Sequence, residues 1–179
     1  MKITSRSQLV ELIRKFQMPL TIVEVGVAEG IFSTELLSLG AEKLYLVDIW
    51  ERVPFIEGCA SFDKEWHDKN YKDIVEKFGN NPKVILLKGF SYKMAEQIPD
   101  NSVSLVYVDG DHTRQGVSAD IEAYYPKLIR EGIMAFHDYN DSYGVMIAVK
   151  QFAQKNNLQI FEIPEDDNPD NRGAYFIKR

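Results

Sequence analysis

The stretch from Leu20 to Gly30 limits what this chain can fold into more than any other. Leu20, Ile22, Val23 and Val25 make a nearly continuous apolar run, which predicts a strand buried on both faces of a sheet. The run ends in a glycine turn, Gly26 to Gly30, and a helical pattern with Phe32, Leu36 and Leu39 on one face opens straight after it. Strand, glycine turn and helix in that order form the floor of a nucleotide-type cofactor site in a doubly wound sheet. The spacing Gly26-x-x-x-Gly30 is not the dinucleotide pattern G-x-G-x-x-G, so other residues must decide the kind of cofactor.

The same rhythm runs down the chain. Leu9, Leu12, Ile13 and Phe16 predict an amphipathic helix over about 5–17, which Pro19 breaks. Leu44 to Asp48 reads as a second buried strand, and Val84 to Leu87, Val103 to Val108 and Gly132 to Phe136 as three more. Between them, the segment Ile49 to Phe62 has no period and reads as a loop. Tyr71, Ile74, Val75 and Phe78 mark one helix face, Ser91 to Gln97 a short helix, and Val117, Ile121, Tyr124, Tyr125 and Leu128 another stripe. A helix over about 142–156 follows. Leu158 to Ile163 and Ala174 to Ile177 are then joined by a polar loop with no helix between them, which predicts an antiparallel hairpin closing a parallel sheet. The 179 residues suit one α/β domain, with 1–19 an N-terminal helix and 20–179 the core.

Composition removes several function classes. A net charge of -6 argues against a general nucleic-acid binder, which would show a basic face. Cys59 is the only cysteine, so neither an internal disulfide nor a cysteine-based zinc site can form. The segment Met1 to Ser7 lacks the apolar core of a secretory signal, and no window approaches the ~18 apolar residues of a membrane span. A cytoplasmic protein with no membrane partner is the expectation.

Ligands of open α/β sheets bind beyond the carboxyl ends of the strands. Those ends carry Glu24 with the Gly26–Gly30 turn, Asp48, Gly89 to Ser91, Asp109 to His112, and His137 with Asp138. An acid in the place of Asp48 can accept hydrogen bonds from both ribose hydroxyls of a nucleoside. Glu24 and Glu29, beside the turn, would repel a pyrophosphate but favour a cationic sulfonium and ammonium.

Val23-Glu24-Val25-Gly26-Val27-Ala28-Glu29-Gly30 resembles the first motif of class I S-adenosylmethionine-dependent methyltransferases, with Ala28 in place of the central glycine. The terminal hairpin is similar to that family's Rossmann-like sheet, which implies seven strands in the order 3-2-1-4-5-7-6. Val108-Asp109-Gly110-Asp111-His112 and Gly132-Ile133-Met134-Ala135-Phe136-His137-Asp138-Tyr139 resemble a metal-dependent O-methyltransferase subgroup of catechol-type, macrocin O-methyltransferase and cephalosporin-hydroxylase-like proteins.

The resemblance implies S-adenosylmethionine contacted by Glu24, Gly26, Ala28, Gly30, Asp48, Ile49, Ser91 and Asp109. It also implies a divalent cation, usually magnesium, at Asp109 and Asp138. The subgroup's third ligand is a carboxylate or carboxamide, whereas here His137 stands beside Asp138. An imidazole suits manganese, zinc or iron better than magnesium. Such a cation lowers the pKa of a coordinated hydroxyl, and methyl transfer itself is an in-line displacement governed by positioning.

His112, with an unperturbed pKa near ~6.5, is the candidate general base, working with Asp109. Its other readings are a metal ligand or a residue that caps the next helix. Asp111 reads as a turn-stabilising acid. Ser91 is either an adenine contact or a helix N-cap, Trp66 is core or a cover over the cofactor, and His67 is surface. Two other functions stay open: a methyltransferase-like binding protein without catalysis, and a dinucleotide-dependent oxidoreductase.

The acceptor is expected to be a small molecule. It would be chosen by the N-terminal helix, the loop Ile49 to Phe62 with Trp50 and Phe55, and the acidic loop with Glu165, Asp166, Asp167 and Asp170. The chain's shortness leaves room for a homo-oligomer whose partner subunit completes the pocket.

Overall fold

The computed structural model describes residues 3–54, 62–140, 144–164 and 172–179. Five parallel strands form the centre of the sheet: β1 (Thr21–Val25), β2 (Lys43–Asp48), β3 (Val84–Lys88), β4 (Val103–Val108) and β5 (Leu128–Phe136). The hairpin β6 (Phe161–Pro164) and β7 (Arg172–Ile177) adds two antiparallel strands, β7 lying against β5. The order is β3-β2-β1-β4-β5-β7-β6, as the family resemblance implies. The helices are α1 (Gln8–Lys15), α2 (Ile31–Ser38), α3 (Lys64–Phe78), α4 (Ser91–Met94), α5 (Arg114–Tyr124) and α6 (Val145–Lys155).

Alternation along each strand divides the apolar residues between two layers. Val23, Val25, Val106, Val108, Met134 and Phe136 pack with Val117, Ile121, Val145 and Val149 of α5 and α6. Ile22, Leu44, Leu46, Leu105, Tyr107 and Ile133 pack on the other face with Leu9, Ile13, Phe32, Leu36 and Ile74 of α1, α2 and α3. Burial on both faces is what the continuous apolar runs require.

Three expectations need correction. The stripe through Val117, Ile121 and Tyr124 does not extend as helix to Leu128. A short 3-10 turn, Tyr125–Lys127, intervenes, and Leu128 opens β5 opposite Val103 before a register shift in the β4–β5 pairing. Val75 is 42% exposed, and the buried stripe of α3 is His67, Asn70, Ile74 and Phe78. The last hairpin begins at Phe161, since Leu158 and Ile160 pack on the core without joining the sheet. Phe55 and Cys59, the start of the helix placed at 142, and the acidic loop with Glu165, Asp166, Asp167 and Asp170 lie outside the described residues. Among the described residues no helix is long and apolar enough to cross a membrane.

Candidate active site at the carboxyl ends of the strands

The strand order sets out the polar residues in a row. Phe90 and Ser91 follow β3, Asp48 ends β2, the glycine turn follows β1, Asp109 to His112 follow β4, and His137 and Asp138 follow β5. Neighbouring strands lie about 4.8 Å apart, so five ends span roughly 20 Å. A cleft runs over these ends and is lined by Gly26, Ala28, Asp48, Ile49, Ser91, Asp109 and His112 among others.

The turn is built by close approach. Gly26 has φ +87°, and a Cβ there would fall 2.0 Å from the Asp109 carbonyl oxygen. Only glycine lets the ends of β1 and β4 come together so closely. Gly30, at φ +69°, opens α2 where a Cβ would meet Ile74 of α3. Ala28 also takes a left-handed φ of 48°.

Asp48 holds this turn in place. Its Oδ2 accepts from the amides of Val27 (2.8 Å) and Ala28 (2.9 Å), and its Oδ1 accepts from the amide of Trp50 (2.8 Å). A carboxylate offers about four acceptor positions, so roughly one is left for a ligand in the cleft. Trp50, which is 1% exposed, completes the clamp by donating from Nε1 to the Ala28 carbonyl at 3.2 Å.

Glu24 and Gly30 do not line the cleft. The side chain of Glu24 follows that of Ile22 onto the α2 face of the sheet, where its carboxylate accepts from Ser33 Oγ at 2.5 Å. Burial pushes the Glu24 carboxyl up to about 8, against the Ser33 hydrogen bond and with the charge of Asp109 adding to the rise. Near neutral pH it is therefore mostly protonated, and Glu29, exposed on the turn, is the acid that faces solvent there.

The ends of β4 and β5 bring four side chains together. His112 Nε2 lies 3.1 Å from Asp138 Oδ2 and 3.5 Å from Asp109 Oδ1. His137 Nδ1 lies 3.2 Å from Asp138 Oδ1 and 3.5 Å from Asp109 Oδ1. A left-handed φ of 51° at Asp138 turns the chain sharply after β5. Strain of this kind, about 1–3 kcal/mol, is tolerated where the surroundings fix it, and here Tyr139 N bonds Arg172 O of β7 at 2.7 Å.

Burial alone would lower the His112 pKa and raise that of Asp138. Their mutual attraction, with the hydrogen bonds to Asp109 and from His137, reverses both directions: His112 is raised and Asp138 lowered. Asp109, His137 and Asp138 each offer a ligand atom within 4.8 Å of the others. Two carboxylates and one imidazole at that spacing fit a divalent cation of the manganese, zinc or iron type.

Asp111 takes the turn role expected of it, with Oδ1 accepting from Thr113 N at 2.8 Å, while Thr113 itself caps α5. Ser91 is engaged from below. Its Oγ donates to Asp120, and its carbonyl accepts from Tyr124 Oη at 2.8 Å. The N-cap of α4 is Phe90, so the capping role considered for Ser91 does not apply.

His67 is a correction, being 3% exposed and lining the cleft instead of lying on the surface. Trp66 lines it too and stacks on Phe62, with ring centroids 4.0 Å apart. The sequence signal for His67 was its spacing from Ile74 and Phe78 on α3, a face that begins with polar residues at the cleft.

Residues 23–139, from β1 through the cluster after β5, match the family model described as a methyltransferase domain, Methyltransf_24. The chain belongs to this methyltransferase-domain family. An uncharacterised protein of Acanthamoeba polyphaga mimivirus is 27% identical over 128 residues, covering 68% of this chain and 52% of its own length. One from Sinorhizobium fredii is 41% identical over 54 residues, covering 30% of this chain and 6% of its own. The chain thus spans about half, or far less, of the length of the curated relatives it matches.

Among solved structures, the O-methyltransferase NovP superposes with a TM-score of 0.71 at 19% identity, covering 96% of this chain and 77% of NovP. The calicheamicin methyltransferase CalS11 gives 0.66 at 17% over the same shares. A Corynebacterium glutamicum protein gives 0.68 at 15%, over 96% and 79%. At these identities the likeness is one of fold, and that fold is the Rossmann-like methyltransferase sheet.

Proposed function

We propose that this methyltransferase-family chain uses S-adenosylmethionine to methylate a hydroxyl of a small molecule, with a divalent cation at Asp109, His137 and Asp138. The observation that carries the reading is the row of strand ends. A cleft lined by Asp48 and the glycine turn is lined at its other end by Asp109 and His112, which cluster with His137 and Asp138.

Each part of the row has a chemical task. Phe90 and Ser91 lie where a base would sit, two strands from the turn. Asp48 and Ile49 lie beneath the ribose position, with the remaining acceptor position of Asp48 facing a hydroxyl pair. Backbone groups of Gly26 and Ala28 flank the amino-acid end, and Glu24 supports the turn from beneath, with Gly30 opening α2. The methyl donor supplies a methyl group on a cationic sulfur, which the cleft-lining carboxylates of Asp48 and Asp109 favour over a pyrophosphate. A bound cation supplies a lowered pKa for a coordinated hydroxyl.

His112 serves as the general base for the acceptor's hydroxyl, and Asp138 and Asp109, which face its Nε2, stabilise the imidazolium that forms. Trp66 and Phe62, stacked on one another, line the same cleft.

Two binding measurements test this without knowledge of the acceptor. Isothermal titration with S-adenosylhomocysteine should give saturable heat, and its absence would overturn the cofactor assignment. Manganese uptake, followed by electron paramagnetic resonance, should be lost in the Asp109→Ala/Asp138→Ala variant while nucleoside binding is largely kept. Equal uptake by the variant would remove the metal from the reading.

A further inference from the structure

Asp120 is a buried carboxyl that the proposed reaction does not use. It sits on the inner face of α5, 2% exposed, and its Oδ1 accepts a hydrogen bond from the Ser91 hydroxyl. One helical turn further, Tyr124 donates from its phenol to the Ser91 carbonyl at 2.8 Å. Asp120 and Tyr124 are four residues apart and so share one face of α5. Together they grip Ser91 by its side chain and its backbone.

Ser91 also lines the cleft, beside Phe90 and Gly89 at the end of β3. A serine hydroxyl has one donor and two acceptor positions. With its single proton committed to Asp120 behind it, the Ser91 hydroxyl can only accept from a group in the cleft.

We infer that Asp120 is a positioning residue that fixes Ser91 as an acceptor, so that the base end of the cleft selects a purine carrying a 6-amino group over one carrying a 6-oxo group. The inference rests on the cofactor reading above. A 6-amino purine offers N–H to the Ser91 lone pairs. A 6-oxo purine brings a carbonyl oxygen against them, and two acceptors left facing one another lose a hydrogen bond without replacement. A leucine or alanine at position 120 would leave the Ser91 hydroxyl free to rotate and donate, and the distinction would vanish.

The arrangement does not depend on Asp120 merely filling space. Its carboxyl is otherwise a costly group in a helix interior packed on the core, and burial pushes it up to about 7 against the Ser91 hydrogen bond. Its proton is therefore off at pH 8.5, the pH chosen for the test.

The experiment is isothermal titration at pH 8.5 of the whole chain with S-adenosylhomocysteine and with its 6-oxo (hypoxanthine) counterpart. The wild type should bind the amino compound about tenfold or more tightly than the oxo compound, the effect of one hydrogen bond. Asp120→Asn keeps an acceptor for the Ser91 proton and should retain that ratio, whereas Asp120→Leu and Ser91→Ala should bring it close to one. Equal wild-type affinity for the two nucleosides overturns the inference and leaves the cofactor reading standing. Failure to bind either nucleoside overturns both. Should Asp120→Leu not fold, by circular dichroism, Ser91→Ala decides alone: an unchanged ratio in that variant means that Ser91 does not read the base.

Discussion

Gly26 shows how a single residue's missing side chain holds a site together. A methyl group there would sit 2.0 Å from a backbone carbonyl of Asp109, and neither strand end can move without unpairing β1 from β4. Added to the cost of φ +87° for an L side chain, Gly26→Ala should destabilise the fold by at least about 2 kcal/mol. Gly110, also on the cleft, is the control. A Cβ there would meet nothing closer than Val25 Cγ1 at 3.5 Å, an ordinary contact, so Gly110→Ala should stay within about 0.5 kcal/mol. Urea unfolding of the two variants separates the cases, and similar losses in both would show that the close approach of the strands is not what demands glycine at position 26. The same approach sets the Asp109 carbonyl beside the turn, so Gly26→Ala should also weaken binding of S-adenosylhomocysteine more than Gly110→Ala does.

At the scale of elements, the segment after β2 braces the turn after β1. Trp50 donates to the Ala28 carbonyl while Asp48 receives the amides of Val27 and Ala28, so three hydrogen bonds lock the two loops together, and a fourth, from Trp50 N to Asp48, stiffens the segment after β2. Trp50→Phe keeps an aromatic ring against Tyr71 and loses the indole donor. It should cost about 1 kcal/mol in unfolding free energy, with weaker nucleoside binding from the looser turn. A variant as stable as wild type and equal in affinity would mean that Asp48 suffices. None of this bracing was visible in the sequence, where Trp50 stood in an aperiodic stretch.

The strands were legible because each is an apolar run closed by a turn, and their ends carried the acids of the site. That Asp109, His137 and Asp138 lie together followed from the strand order and metal site that the family resemblance implied. The boundary of β5 was not legible, because Leu128 falls four residues after Tyr124 and extends the helical period into a strand. Two-sided burial also hid the direction of Glu24: Ile22 and Val23 are equally apolar, so the pattern does not say which face the acid shares. His67 was misread because a polar residue at the start of a helix resembles a solvated one until the cleft beside it is known.

For the whole molecule, the buried carboxyls make stability depend on pH in an unusual direction. Glu24 is raised from 4.5 to about 8 and Asp120 from 3.8 to about 7, both chiefly by burial. Each holds its proton more tightly in the folded chain than in the unfolded one. Their contribution is therefore complete below about pH 4 and is lost as the pH climbs through about 7 to 8. His112, raised by Asp109 and Asp138 against its burial, acts in the same sense above its ordinary 6.5. Asp138, held low by His137 and His112 against its own burial, acts oppositely and matters only below 3.8. The unfolding free energy should thus decline between about pH 5 and pH 8, by an amount on the order of a few kcal/mol. Thermal unfolding at fixed ionic strength with a chelator present would follow it. Glu24→Gln/Asp120→Asn carries no proton to lose and should flatten most of that slope, while keeping an acceptor for Ser33 and for Ser91. A wild-type profile that rises over this range, or a double variant with an unchanged slope, would show that the two carboxyls ionise normally.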